Sequence, residues 1–325
     1  MQCMEVWGGN QPADAGVVMA GLDAWVYCRP FVAKDDSPQE IGGGGDVYYV
    51  SSCATGRITR LLVADVSGHG SAVRDVAGSL RTLMRKYVNY LDPSRFVGEM
   101  NQNFTALSEA GCFATAVVTT FFSPTNHITL CNAGHPPPLI YRSAERRWSY
   151  VREQCPEDES VADLPLGIED ATDYRFFDVR LNVGDLVLCY TDGLPESRGQ
   201  DGDYLGLEGL LQVVQKIDIS DPTAVVPKLL AAIADLYPHN LSADDITVLL
   251  FRPNGLAPVV PIRDRLLAPL RLLGGILSAL RPGGGPIPWP DNHPANVGGA
   301  FLSRFNHLWS GRANAAAVRT LRGGG

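Results

Sequence analysis

Short apolar runs alternate with segments of helical periodicity along the first 250 or so residues. Runs of β-branched and aromatic residues bounded by turn residues predict β-strands. These runs lie at 24–29, 46–52, 57–66, 113–122, 127–133, 137–142, 175–181, 185–191 and 245–251. Helical periodicity predicts helices at about 71–90, 93–109, 207–217 and 222–236. Two of these helices open with Asp-Pro, and proline suits the first turn of a helix.

The order of these elements indicates the fold class. The predicted strands come in blocks, mostly without a helix between them. This order favours a layered antiparallel α+β domain over a parallel doubly wound sheet. Proline- and glycine-rich connectors begin after Pro253, so we place the end of the domain there.

Residues 254–325 have a different pattern of apolar and charged positions. Leucines at alternating steps of four and three predict an amphipathic helix near 263–281. Arginines flank this stripe, so its alternatives are an anionic membrane surface, a partner helix, its own domain or a second copy in a homodimer. This tail carries eight arginines and two aspartates, a net charge of +6, so the other residues carry −14.

Composition narrows the class of protein. The 325 residues are 45% hydrophobic and 19% charged, which is typical of a folded chain. The net charge of −8 argues against general nucleic-acid binding and suits divalent cations. The seven cysteines form no C-x-x-C pair, and we find neither a secretory signal nor an apolar run long enough to span a membrane. We therefore expect a cytoplasmic protein.

Isolated carboxylates fall at the ends of four predicted strands. Asp46 opens one strand and Asp65 closes another. Asp192 follows a third, and Asp244 precedes the last. Each could be a plain turn residue, but several such acids together suggest a shared cation. Oxygen ligands without histidine or cysteine suit magnesium or manganese.

The glycines beside these acids allow a second interpretation, a nucleotide site. The segment "SGHGSA" has no third glycine at the offset of a dinucleotide fingerprint, and neither it nor "IGGGGD" is followed by the Lys-Ser/Thr of a P-loop. No C-x5-R loop is present for a cysteine phosphatase. The sequence therefore gives little support to nucleotide binding or to a covalent mechanism.

Six segments, in order, resemble the bacterial SpoIIE-like branch of the metal-dependent serine/threonine protein phosphatases, relatives of the type 2C phosphatases. They are "GGGGDVYYV", "VADVSGHGSA", "CNAGHPPPLIYR", "LPLGI", "LNVGDLVLCYTDGLPESR" and "SADDITVLLF". The resemblance implies two stacked antiparallel sheets flanked by helices. It places the phosphatase domain at 22–253, with 1–21 as an N-terminal extension and 254–325 as the tail.

The resemblance also implies a centre of two Mn²⁺ or Mg²⁺ ions. Asp65 would bridge both ions, and Asp46 with the main-chain carbonyl of Val66 would complete the shell of one. Asp192 and Asp244 would hold the other ion; Asp245 is the adjacent alternative to Asp244. Two such ions lower the pKa of a bridging water, so no nucleophilic side chain is required.

Histidines and turn residues near the motifs have two interpretations each. His69 and His135 are candidate general acids. The alternative for His69 is a turn in which the ring bonds main chain, and the alternative for His135 is a rigid connection before three prolines. Asn132 and Gly134 belong to the family signature, and we interpret them as turn residues.

Two basic side chains and one difference from the family pattern also bear on the predicted site. Arg29 and Lys34 precede Asp46 and are candidate phosphate ligands, with solvated strand-end charges as the alternative. Val50 stands where relatives often carry a second aspartate. This difference affects what the resemblance implies about the outer shell of the site, but not what it implies about Asp46.

The function implied by the resemblance is hydrolysis of phosphoserine or phosphothreonine on a protein. In this family the substrate is often an anti-sigma-factor antagonist in a partner-switching circuit. A catalytically silent phosphatase fold that binds partners is the alternative.

Overall fold

The structure is a computed structural model that describes residues 3–31, 43–53, 56–68, 71–90, 92–107, 111–151 and 164–256. The predicted amphipathic segment at 263–281, Lys34 and His69 lie outside these residues. Among the described helices, none is both long and apolar enough to cross a bilayer.

The described chain contains twelve strands and four α-helices. The strands are β1 Cys3–Gly9, β2 Ala13–Val18, β3 Leu22–Arg29, β4 Asp46–Cys53, β5 Ile58–Val66, β6 Ala114–Phe122, β7 His127–Ala133, β8 Leu139–Arg142, β9 Arg147–Tyr150, β10 Phe177–Arg180, β11 Leu186–Tyr190 and β12 Ile246–Pro253. The helices are α1 Ser71–Tyr87, α2 Pro93–Leu107, α3 Gly206–Gln215 and α4 Val225–Ala234, the last preceded by a 3₁₀ turn at Pro222–Ala224.

The strands form two six-stranded antiparallel sheets. The first sheet has the order β1, β4, β5, β6, β7, β10, and the second has the order β2, β3, β12, β11, β8, β9. The predicted α+β fold with two stacked sheets is confirmed. Because β1 and β2 are consecutive but belong to different sheets, the chain crosses between the layers at residues 10–12.

Three apolar cores hold the layers together. Alternate residues of each central strand face opposite sides. Leu62 and Ala64 of β5 face α1 and α2, whereas Leu61 and Val63 face the second sheet. A third core lies between the second sheet and helices α3 and α4. The layer between the sheets is therefore lined by odd-numbered residues of β5, β11 and β12.

The nine predicted strands and the four predicted helical regions are all present, with ends displaced by a few residues. The pattern missed β1, β2 and β9. The sequence of β2, "ADAGVV", is poor in strand-forming residues and mostly exposed, and β9 has only four residues. Residues 3–18 thus contribute an edge strand to each sheet.

Candidate metal centre

Asp46 and Asp65 face each other across two neighbouring strands. They are register partners in the β4–β5 pair. Strand alternation directs both side chains into the layer between the sheets, where Tyr48 and Val63 also point. Asp46 is only 2% exposed, and the hydroxyl of Thr191 donates to its Oδ2 at 2.8 Å. The two carboxylates close one end of the intersheet core.

Asp192 and Asp244 approach the same end from the second sheet. Asp192 lies just beyond the last residue of β11, and Asp244 lies just before β12. Strands β11 and β12 pair antiparallel, so the end of one adjoins the start of the other. The charges of both acids raise the pKa of Asp65. The four predicted acids therefore converge on one region.

Crowding of like charges marks this region. Burial, followed by the charges of Asp192 and Asp244, raises the pKa of Asp65 to about 7. Burial and the charge of Asp65 raise the pKa of Asp46 well above its ordinary value. Desolvation is also the main cause of the raised pKa values of Asp192, which is half-buried, and of Asp244, whose carboxylate is only partly shielded by its neighbours. An all-oxygen set of mutually repelling carboxylates fits a hard divalent cation.

The carbonyl of Val66 lies beside these acids because position 45 is glycine. A Cβ on Gly45 would stand 3.0 Å from the Val66 oxygen and 3.5 Å from Oδ1 of Asp65. The two oxygens thus border one small space that a side chain would fill. The Gly45 carbonyl also accepts the Val66 N–H at 3.2 Å. This arrangement makes the Val66 carbonyl available as a ligand next to Asp65.

The adjacent aspartates Asp244 and Asp245 have different surroundings. Asp245 accepts main-chain N–H groups of Phe31 at 2.5 Å, Gly45 at 2.6 Å and Asp46 at 3.3 Å. Asp244 is exposed and accepts the N–H of Asp245 at 2.8 Å. The Asp245 carboxylate is therefore engaged with the backbone, and the Asp244 carboxylate is the freer of the two.

Glycines permit the close approach to Asp245. A Cβ on Gly44 would stand 2.2 Å from Oδ2 of Asp245, and a Cβ on Gly193 would stand 2.5 Å from its carbonyl oxygen. From the other side, Nε of Arg74 donates to the Gly43 carbonyl at 2.7 Å. The glycine segment before Asp46 is thus held between strand β12 and helix α1.

His135 is built into the protein interior. It is 4% exposed, and burial lowers its pKa to about 3. Its Nδ1 pairs with the Thr115 hydroxyl at 2.8 Å. The side chain of Asn132 donates to the His135 carbonyl and accepts its N–H, and Gly134 has a φ of 68°. The interpretation of these residues as turn structure is favoured, because a buried neutral imidazole is a far weaker acid than the imidazolium that general-acid catalysis at neutral pH requires.

Arg29 and Val50 contribute nothing visible to the site. Arg29 alternates with Cys28, whose side chain lies in the intersheet core, so Arg29 projects from the opposite face of its sheet. Val50 is fully buried in the intersheet core opposite Leu61, away from the end that carries Asp46.

The structure adds one acid that the sequence analysis missed. Glu196 is exposed in the turn after Asp192, and its charge raises the pKa of both Asp65 and Asp192, after the larger effect of burial. Its N–H bonds the Asp192 carbonyl at 2.9 Å. The i, i+4 spacing within "DGLPE" was the available signal.

The acids lie in one region but do not surround a single point. Within the described ranges, no three Asp, Glu, His or Cys side chains stand together as a ready-made shell for one ion. The site is a region of neighbouring carboxylates bordered by one backbone carbonyl. The chemistry of this donor set suits a cation that retains several waters, as Mg²⁺ does.

Comparison with known proteins supports the fold and the family. Phosphoserine phosphatase RsbU of Bacillus subtilis (strain 168) is 24% identical over 198 residues, which are 59% of this chain and 55% of that protein. This chain therefore spans about half the length of that relative.

Solved structures show the same architecture. The RsbU and RsbW domains of a Mycobacterium tuberculosis protein match with a TM-score of 0.57 and 24% identity, over 82% of this chain and 75% of that one. The PP2C phosphatase domain of SpoIIE from Bacillus subtilis, with a fragment of its regulatory domain, matches with a TM-score of 0.57 and 17% identity, over 72% and 64%. The family model described as stage II sporulation protein E (SpoIIE) matches residues 55–254. Because this match covers more than half of the sequence, the chain belongs to the SpoIIE family.

Proposed function

We propose that this protein is a magnesium- or manganese-dependent phosphatase that hydrolyses phosphoserine or phosphothreonine on a protein substrate. The observation that carries the proposal is the convergence of Asp46, Asp65, Asp192 and Asp244 at one end of the intersheet layer. Family membership supports it, as does the phosphoserine phosphatase activity named for the Bacillus relative.

The proposed ligands divide between the two sheets. Asp46, Asp65 and the Val66 carbonyl belong to the first sheet, and Asp192 and Asp244 belong to the second. Bound divalent cations supply Lewis acidity and lower the pKa of coordinated water. In this proposal Asp65 faces both groups, because it is the register partner of Asp46 and senses Asp192 and Asp244.

Neighbouring residues hold the ligands in place. Thr191 donates to Oδ2 of Asp46 and so orients this carboxylate toward the proposed cation. Asp245 fixes the backbone of Gly45 and Asp46, so we assign it a positioning role rather than a ligand role. Such outer contacts orient metal ligands and influence affinity.

The relatives support the proposed substrate class. One matching solved structure contains both an RsbU and an RsbW domain, which places a related domain beside a partner-switching component in that protein. We propose a phosphorylated protein of such a circuit, an anti-sigma-factor antagonist, as the substrate. The basic tail at 263–281 is a proposed contact for a partner helix, a membrane surface or a second copy.

Phosphate release tests the proposal. With manganese present, the protein should release phosphate from a phosphoserine peptide, and Asp65→Asn and Asp192→Asn should not. Asp185→Asn, a buried aspartate at the opposite end of β11, is the matched control and should retain turnover. Turnover that persists in both site variants would contradict the assigned centre. Absence of a manganese binding heat in the unaltered protein would favour the alternative of a silent partner-binding fold.

A further inference from the structure

Two buried thiols face each other at the edge of the first sheet. Cys3 of β1 is the register partner of Cys53 of β4, and they are 8% and 4% exposed. The Cys3 N–H donates to Oδ1 of Asn89 at 2.7 Å, and the Cys53 carbonyl accepts the N–H of Gly56 at 2.8 Å. These main-chain groups are directed away from the opposite cysteine. This is the arrangement of a non-hydrogen-bonded antiparallel pair, in which Cα atoms lie about 4.5 Å apart and side chains approach most closely.

This geometry is compatible with a disulfide bond. Disulfides usually join Cα atoms about 4.4–6.8 Å apart. Both side chains also belong to the same core, between the first sheet and helices α1 and α2. The other cysteines of the described strands face different residue types: Cys28 is opposite Thr247, Cys131 is opposite Val118 and Cys189 is opposite Leu249.

A buried cation lies near the pair. Arg60 is fully buried, with Nη1 donating to Oγ1 of Thr120 at 2.6 Å and Nη2 donating to the Tyr90 carbonyl. The hydrogen bond with Cys53 and burial raise the pKa of Cys3, whereas the charge of Arg60 opposes that effect. The raised pKa keeps the Cys3 thiol protonated at rest, and the charge of Arg60 favours its thiolate when one forms.

We propose that Cys3 and Cys53 are a redox-sensitive pair that closes to an intramolecular disulfide. The oxidant is a small-molecule disulfide. One protein thiol, as its thiolate, attacks that disulfide and releases one small thiol; the second protein thiol then attacks the mixed disulfide and releases another. Two protein thiols are oxidised, one disulfide is reduced, and no other reactant is needed.

The position of the pair lets the oxidant reach the thiols, and it means that a disulfide would join two neighbouring strands. Strand β1 is an edge strand with a register shift between Glu5 and Trp7, and Met4 beside Cys3 is 62% exposed. Opening of such an edge exposes the pair. The disulfide then fixes β1 to β4, the strand that begins with Asp46.

Mass spectrometry tests this site on the full chain. Cys112 and Cys155 are replaced by serine to remove competing thiols, and the protein is incubated with oxidised glutathione. We expect the loss of two hydrogen masses and a cross-linked peptide that joins positions 3 and 53. The thermal midpoint should rise by about 5–10 °C and fall back after reduction.

Matched variants separate the pair from general oxidation. Adding Cys53→Ser or Cys3→Ala to this background should abolish the cross-link and the shift, whereas adding Cys131→Ser should preserve both. Thiols at 3 and 53 that stay reduced, or that carry glutathione without a cross-link, would overturn the proposal. Phosphatase activity plays no part in this readout, so the result is independent of the proposed function.

Discussion

Strand β11 has an aspartate at each end, and the two ends differ in what surrounds the carboxylate. Asp185, before the strand, is fully buried and accepts N–H groups of Asn182 and Ser143, each at 2.9 Å. Arg142 adds an ion pair at 3.0 Å. Burial tends to raise the pKa of Asp185, but these bonds outweigh burial and the pKa lies below its ordinary value. Asp192, after the strand, has a raised pKa from burial and from the charge of Glu196.

The difference separates an acid with satisfied hydrogen bonds and an ion pair from acids that the proposed function assigns to a metal. At the Asp185 end, donors and a cation satisfy the charge. At the Asp192 end, Asp65 and Glu196 add like charges. Carboxylates with raised pKa values are a cost to the folded state, and such groups concentrate at functional sites. Substitution of Asp185 should therefore lower stability more than activity. Substitution of an acid at the Asp192 end should lower activity more than stability.

The largest effect is expected for Asp65→Asn. This variant removes the carboxylate that links the two groups of proposed ligands, so turnover with manganese should fall by more than about 100-fold, the upper range for outer-shell residues. The metal-free protein should unfold at the same or a higher urea concentration, because a repulsive charge is lost. A large drop in metal-free stability would show that Asp65 acts like Asp185.

Asp245→Asn should have the next largest effect on activity. An amide cannot accept N–H groups on its nitrogen, so the contacts with Phe31 or those with Gly45 and Asp46 are lost. Manganese affinity measured by calorimetry should fall by about 10–100-fold. In the same experiment Asp185→Asn should bind manganese as the unaltered protein does. Equal affinity in both variants would remove the positioning role of Asp245.

Asp185→Asn should mainly change stability. Replacement leaves buried donors with a weaker acceptor and Arg142 without its charge partner, so the free energy of unfolding should fall by about 1–3 kcal/mol. Urea unfolding measures the loss, and kcat for a phosphoserine peptide should stay within about twofold of the unaltered value. A selective loss of kcat without a loss of stability would invalidate the comparison.

The smallest effect is a change in the pH dependence of unfolding. Because the folded pKa of Asp185 is depressed below 3.8, its contribution is present above that pH and is lost as pH falls through the folded value. The stability difference between the unaltered protein and Asp185→Asn should therefore be constant near neutrality and shrink below about pH 4. Urea midpoints measured from pH 7 to pH 3 provide the check.

The sequence predicted the fold because the central strands carry strong apolar patterns. Strand β5, for example, is buried along nearly all of its length. Strands β1, β2 and β9 are edge strands in which exposure or short length weakens the apolar pattern, whereas the edge strand β10 lies in a longer apolar and aromatic run.

The sequence nominated a set of residues for the candidate site but could not predict their geometry. Motif order identified Asp46 and Asp65, but their face-to-face placement depends on the register of β4 and β5. The surroundings of Asp244 and Asp245 differ through contacts of Asp245 with residues about 200 positions earlier, such as Gly45. A sequence pattern carries no information about such long-range contacts.

The position of β12 has a consequence for biosynthesis. This strand is late in the described chain, yet it inserts between β3 and β11 in the middle of the second sheet. A nascent chain on the ribosome can assemble much of the first sheet early, but it cannot close the second until residues 246–253 emerge from the exit tunnel. Asp244 and Asp245 are translated just before that strand. A polypeptide that ends earlier therefore lacks Asp244, and it also lacks Asp245, whose carboxylate bonds the backbone of Gly45 and Asp46. The candidate metal centre is therefore incomplete until translation has passed residue 253.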